Sequence, residues 1–157
     1  MRKFAIIGAL ATLAALSGCS TSQTVLNGSP GTHFPMTKAC FTTHGGNSAD
    51  MDSRIEHDLQ AHGVVVMTAP GCDRNTTGVD MTVAYDDHWW WDVVMYMKSV
   101  DVQFYAAPSG QLIVNGHWNN SPMHQFPSTD GVMSGLVDDM FAHASGGAIR
   151  TTAANAD

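Results

Sequence analysis

Basic residues are scarce in this chain of 157 residues: seven Lys and Arg stand against 14 Asp and Glu, and charged residues make up only 13% of the whole. A domain with that balance is not drawn to nucleic acid by its net field. Cysteine is scarce as well, with three in all. No two of them stand in a Cys-x-x-Cys spacing, so a thioredoxin-like redox motif is absent. The long apolar run, Phe4 to Leu16, falls short of the roughly 20 residues that a spanning helix needs. A G-x-S-x-G elbow, an H-E-x-x-H pair, a P-loop and a G-x-G-x-x-G turn are all missing. The chain also shows no internal repeat.

The apolar run is preceded by Arg2 and Lys3 and followed by Leu16-Ser17-Gly18-Cys19. A basic start, an apolar segment of about 7–15 residues and small residues at its end describe a secretory signal. With cysteine as the next residue, the segment resembles the lipobox of bacterial lipoproteins. That resemblance implies lipid attachment at Cys19, removal of residues 1–18 and an acylated new N-terminus. It changes the reading from a spanning segment to an anchored one, with the membrane as a partner through the lipid. Ser20 in place of an aspartate implies outer-membrane sorting, with the domain facing the periplasm. An ordinary cleaved signal, with no special role for Cys19, is the plainer alternative.

Residues 19–33, rich in Ser, Thr, Gly and Pro, read as a flexible tether. Residues 34–145 read as one periplasmic domain and 146–157 as a small, polar, disordered tail. Loss of Arg2 and Lys3 with the leader leaves five basic against 14 acidic residues, a charge of −9 with histidines neutral. With Cys19 spent on lipid, Cys40 and Cys72 remain, and in an oxidising compartment two such cysteines are disulfide candidates.

Within the domain, residues 36–43 form a β-type run. Ser48 or Asp50 then caps a helix whose apolar positions Met51, Ile55 and Leu59 fall every fourth residue, with Gly63 as its stop. Val64 to Met67 reads as a buried strand. From Val79, apolar and polar residues alternate through Tyr85, and Asp87-His88 reads as the end of that strand. A long strand follows from about Trp91. Its apolar set changes parity at Lys98-Ser99, which predicts a bulge. Pro108-Ser109-Gly110 is a tight turn into a strand carrying Leu112, Val114 and Trp118. A last helix starts at Ser128 or Thr129 with Val132, Met133, Leu136, Val137, Met140 and Phe141 on one face. The pattern predicts an α+β domain of two layers, with an antiparallel or mixed sheet of about 4–5 strands and two helices on one face.

Chemistry is concentrated around Tyr85-Asp86-Asp87-His88-Trp89-Trp90-Trp91-Asp92. On an extended chain Trp89 and Trp91 share a side and Trp90 opposes them. Trp89, Trp90 and Asp92, with Trp118 and His124 from the far strand and its loop, are therefore the candidate binding surface. The competing reading is that the rings simply pack over the sheet's end. Asp86, His88 and Asp92 have equal parity but span about 20 Å of extended chain, too far to ring one cation without a bend. His57 and His62 miss the i,i+4 spacing that aims two imidazoles at one metal. The methionines sit at apolar periodic positions and read as core filler. Asp86, Asp87 and Asp92 could supply paired carboxylates, but a domain of this size leaves little room for a cleft. No metal, cofactor or catalytic residue is therefore expected.

The run Ala84-Tyr85-x-Asp87-x-Trp89-x-Trp91-Asp92-x-x-Met95-Tyr96 is followed by Val100-x-Val102-x-Phe104-Tyr105 and Gly116-His117-Trp118-x-Asn120-Ser121. Over roughly residues 79–127, a third of the chain, it resembles a small group of uncharacterised proteobacterial outer-membrane lipoproteins. The resemblance implies a non-catalytic binding or structural role in the cell envelope, with an envelope protein as partner and no enzymatic motif. The acidic charge suggests an alternative: an inhibitor or immunity lipoprotein that blocks a basic periplasmic enzyme or toxin.

Overall fold

The computed structural model describes residues 21–42, 48–67, 72–121 and 126–146. Cys19 and His124 lie outside the described residues, as do the leader and all of the tail but Gly146. Eight elements follow in order: β1 (Ser22–Asn27), β2 (Lys38–Phe41), α1 (Ala49–Ala61), β3 (Val65–Val66), β4 (Met81–Trp91), β5 (Met95–Ala106), β6 (Gln111–Asn119) and α2 (Thr129–Ala144). The strands form one sheet in the order β1-β6-β5-β4-β2-β3. Pairing is antiparallel from β1 to β4, while β2 runs parallel to both β4 and β3. The domain is α+β as expected, but its mixed sheet has six strands rather than four or five.

The sheet's edges are β1, which the sequence did not predict, and β3. β1 falls in the stretch read from sequence as tether, so the sheet already includes residues ahead of residue 34. Its inward positions are Gln23, Val25 and Asn27, opposite Trp118, Gly116 and Val114 of β6. Two of those three are amides, which removes the period-2 apolar signal. α2 satisfies them instead: the Gln23 amide donates to the Asp139 carboxylate at 2.7 Å, and the Asn27 amide to the His143 carbonyl at 3.0 Å. β3 is the reduced form of the strand expected over residues 64–67. Only Val64 is buried, while Val65 and Met67 are exposed, because an edge strand has a neighbour on one side only.

The core lies between one sheet face and the helices. Met51, Ile55 and Leu59 of α1 and Met133, Leu136 and Met140 of α2 are fully buried, as the helical periodicity predicts. They meet Met81, Val83, Val100, Val102 and Phe104 from the sheet. Burying each such side chain contributes about 1.5–3 kcal/mol. α2 presses so closely on β6 that a Cβ at Gly116 would stand 2.6 Å from the Met140 sulfur. The two helices are tied at their ends by His62, whose Nε2 lies 2.8 Å from an Asp138 oxygen and whose ring stacks on Phe141 at 4.1 Å.

On the opposite sheet face, Cys40 and Cys72 form the expected disulfide, with Cα atoms 6.3 Å apart. It brings residues 72–80 against the sheet. There Arg74 lies over the Tyr105 ring at 4.1 Å and donates to its hydroxyl at 3.2 Å. Asp80 accepts the Thr37 and Lys38 amides at 2.9 and 3.0 Å, and the Thr37 hydroxyl as well.

Candidate functional site

The expected bulge is present. His88 pairs with Ser99 but Trp89 pairs with Met97, leaving Lys98 as the extra residue. The strand expected to end at Asp87-His88 does not end there. β4 runs on to Trp91, and the chain reverses at Asp92-Val93-Val94, where the Asp92 amide donates to the Val94 carbonyl at 3.3 Å. Asp87 resembles a turn residue in sequence, yet its side chain is buried. One carboxylate oxygen accepts both the Trp89 indole N–H and the Ser48 hydroxyl, the latter at 2.8 Å. Ser48 is the N-cap of α1, and its hydroxyl serves Asp87 instead of capping the helix. The other Asp87 oxygen has no partner among the described residues. A lone pair buried in that way is destabilising by about 1–3 kcal/mol.

β6 ends at Asn119, opposite Ser99, and β2 pairs with β4 only up to Val83. The rungs Trp89↔Met97, Trp90↔Tyr96 and Trp91↔Met95 therefore have no third strand beside them among the described residues. They form a two-stranded ribbon projecting from the sheet. Trp89, Met97 and Tyr96 are drawn back against the domain, with Tyr96 packed edge-on to Phe126 at a centroid distance of 5.5 Å. Beyond them the ribbon is bare: Trp90 is 60%, Trp91 65% and Val93 79% exposed, with Val94 and Met95 also in water. Asp92, in the turn, is exposed too.

Of the residues named from sequence, Trp90 and Asp92 thus occupy one surface. Trp89 is half buried at its base. Trp118 is not part of it: the ring is 3% exposed and belongs to the core, because its parity places it on the helix-covered face. Asp86 and Asp87, adjacent on β4, point to opposite faces. Among the described residues, no group of three or more His, Cys, Asp and Glu side chains is placed to hold a metal ion. None of the helices there is long and apolar enough to cross a membrane. Trp91, Val93, Val94 and Met95, which the sequence reading placed within a strand rather than at a tip, complete the patch.

A second feature was not anticipated. A cleft of about 560 Å³ opens between the helices, lined by Asp50, Arg54 and Asp58 of α1 and by Asp130 and Ser134 of α2. The Arg54 guanidinium is paired with Asp130. Burial raises the Asp58 carboxyl above the ordinary range, against the opposing pull of His57. The signal was available, since Asp50, Arg54 and Asp58 repeat every fourth residue, one step ahead of the apolar stripe. The cleft's one guanidinium is already neutralised, which leaves no unpaired strong cation for an anionic ligand.

No family model and no curated relative matches the chain. Among solved structures, the fold is similar to the PelC dodecamer from Paraburkholderia phytofirmans in two crystal forms. One matches at a TM-score of 0.55 and 12% identity, the other, a single-substitution variant, at 0.53 and 11%. Each covers 79% of this chain and 96% of the other. TolB from Acinetobacter baumannii overlaps at a TM-score of 0.47, with 14% identity over 80% of this chain and 31% of its own. At these identities the likeness to PelC is one of fold alone.

Proposed function

We propose that the chain is a lipoprotein anchored through Cys19 in the outer membrane. Its periplasmic domain has a non-catalytic binding or structural role in the cell envelope. The observation that carries this reading is the bare ribbon end. Two tryptophans more than half in water, beside Val93, Val94 and Met95, forgo the burial that stabilises large apolar side chains by about 1.5–3 kcal/mol each. A protein otherwise acidic and well packed that keeps such a patch is built to cover it with something else. The Leu16-Ser17-Gly18-Cys19 motif supplies the attachment, and acylation at more than one position gives stable anchoring where a single chain does not.

Two measurements test the reading. Intact-mass analysis of protein extracted from native membranes is expected to give a chain beginning at an acylated Cys19; a chain retaining Met1 or carrying a free thiol removes the anchor. A photo-crosslinking residue placed at position 90 is expected to give adducts in living cells that the same residue at Gln60, an exposed position on α1, does not give. Equal yields at both positions remove the contact surface.

A further inference from the structure

We infer that the ribbon end seats in the headgroup layer of the bilayer, beside the acyl chains on Cys19, so that the domain is held to the membrane at two points. The inference rests on the anchored reading above and names what covers the patch.

Sheet geometry is the first argument. Ser22 and Ser99 both pair with Asn119, so the start of β1 and the base of the ribbon lie in one row at the same end of the sheet. The Trp90↔Tyr96 rung is three residues beyond Ser99, about 10 Å at the rise of a strand. Cys19 is three residues ahead of Ser22, and three residues of chain reach at most about 10 Å. β1 and β5 are separated only by β6, about 10 Å across the sheet. The attachment residue is therefore held within about 10 Å of chain from the row that carries the ribbon base, at the ribbon's end of the sheet.

The second argument is that the patch has no single side. Trp90 points to one face of the ribbon and Trp91 with Met95 to the other, with Val93 and Val94 in the turn between. A protein surface covers one face of such a ribbon and leaves the other wet. A bilayer surrounds it on all sides. Trp is the side chain that prefers the boundary of headgroup and hydrocarbon, where an amphipathic ring satisfies both. Asp92 in the turn limits the depth, since a carboxylate is costly in hydrocarbon. The chain's acidic excess makes a zwitterionic surface the fitting one and an anionic surface repulsive.

The test uses the full lipoprotein, purified from membranes and reconstituted into vesicles of phosphatidylethanolamine and phosphatidylcholine whose acyl chains carry bromine either near the headgroup or near the methyl end. The chain has four tryptophans, of which Trp90 and Trp91 would meet the quencher. Shallow bromine is expected to remove about half of the emission and deep bromine distinctly less, the order that interfacial seating gives. A Trp90→Phe, Trp91→Phe variant, conservative at two exposed positions, is expected to emit alike in brominated and plain vesicles. Protein that floats with the vesicles yet shows no quenching overturns the seating and leaves the anchor standing. Protein that neither floats nor is quenched overturns both. Quenching in a chain whose Cys19 proves unmodified supports the seating and removes the anchor. A self-association that the double variant abolishes, without quenching in the parent, assigns the patch to a second copy and overturns the proposal.

Discussion

At single positions, polar side chains hold places where the apolar pattern gives out. Asp80 is the clearest case. Its carboxylate joins the start of β2 to the approach of β4 by accepting two amides and the Thr37 hydroxyl. The hydrogen bond from Thr37 is the largest of the influences that hold its carboxyl below the ordinary value. A carboxyl lowered on folding adds stability that is present above its unfolded value, about 3.9, and is lost as pH falls through the lower folded value. Asp80→Ala is therefore expected to lower stability at pH 7 by about 1 kcal/mol, the scale of a partly exposed capping carboxylate. The difference from wild type should shrink towards pH 3. Urea unfolding at the two pH values checks it, and a penalty unchanged at pH 3 would contradict the assignment. Asp87 illustrates the limit of reading residues one by one. By type it belongs in a turn, and only the Trp89 indole and Ser48 hydroxyl that it meets make it a buried strand residue.

Among the elements, those whose own side chains carry a full apolar pattern were legible beforehand. Both helices were, because burial and periodicity coincide at Met51, Ile55 and Leu59 and at Met133, Leu136 and Met140. So was the Lys98 bulge, which must appear wherever an apolar set changes parity within a continuing strand. β1 was not, since two of its three inward side chains are amides whose partners lie more than a hundred residues away. The ribbon was half legible: the tryptophans stood out, but the position of the reversal depended on how far β4 and β5 outrun their neighbours. The helix cleft arises from α1 and α2 meeting, which neither segment declares alone. The tightest contact between elements is also testable. In Gly116→Ala the new methyl meets the Met140 sulfur and the Leu136 methyl at 3.0 Å or less. Because Met140 is flexible, the expected loss lies at about 1 kcal/mol, the lower end of overpacking penalties. Thermal unfolding of the variant measures it, and an unchanged midpoint would show that α2 does not sit so close to β6.

For the molecule as a whole, one covalent cross-link spans the layers that the core does not. Cys40 lies in β2 and Cys72 heads the segment lying over the back of the sheet, 32 residues on. Closing a loop of that size removes freedom from the unfolded chain worth about 3–4 kcal/mol. The Cys40→Ala, Cys72→Ala protein is expected to unfold at correspondingly lower urea, while wild type in reducing agent follows the variant. Identical curves for oxidised and reduced wild type would show that the bond contributes nothing.

The six-residue ladder between β1 and β6 carries a mechanical implication. The chain enters the domain along the axis of β1, at the end where Ser22 faces Asn119. A tug on the stretch ahead of Ser22, if resisted from the far end of the sheet, loads all rungs of that ladder together in shear. Peeling them one by one would need the load to come from the other end, at Asn27. Load applied to the chain ahead of β1 would thus act on the domain in its stiffest direction.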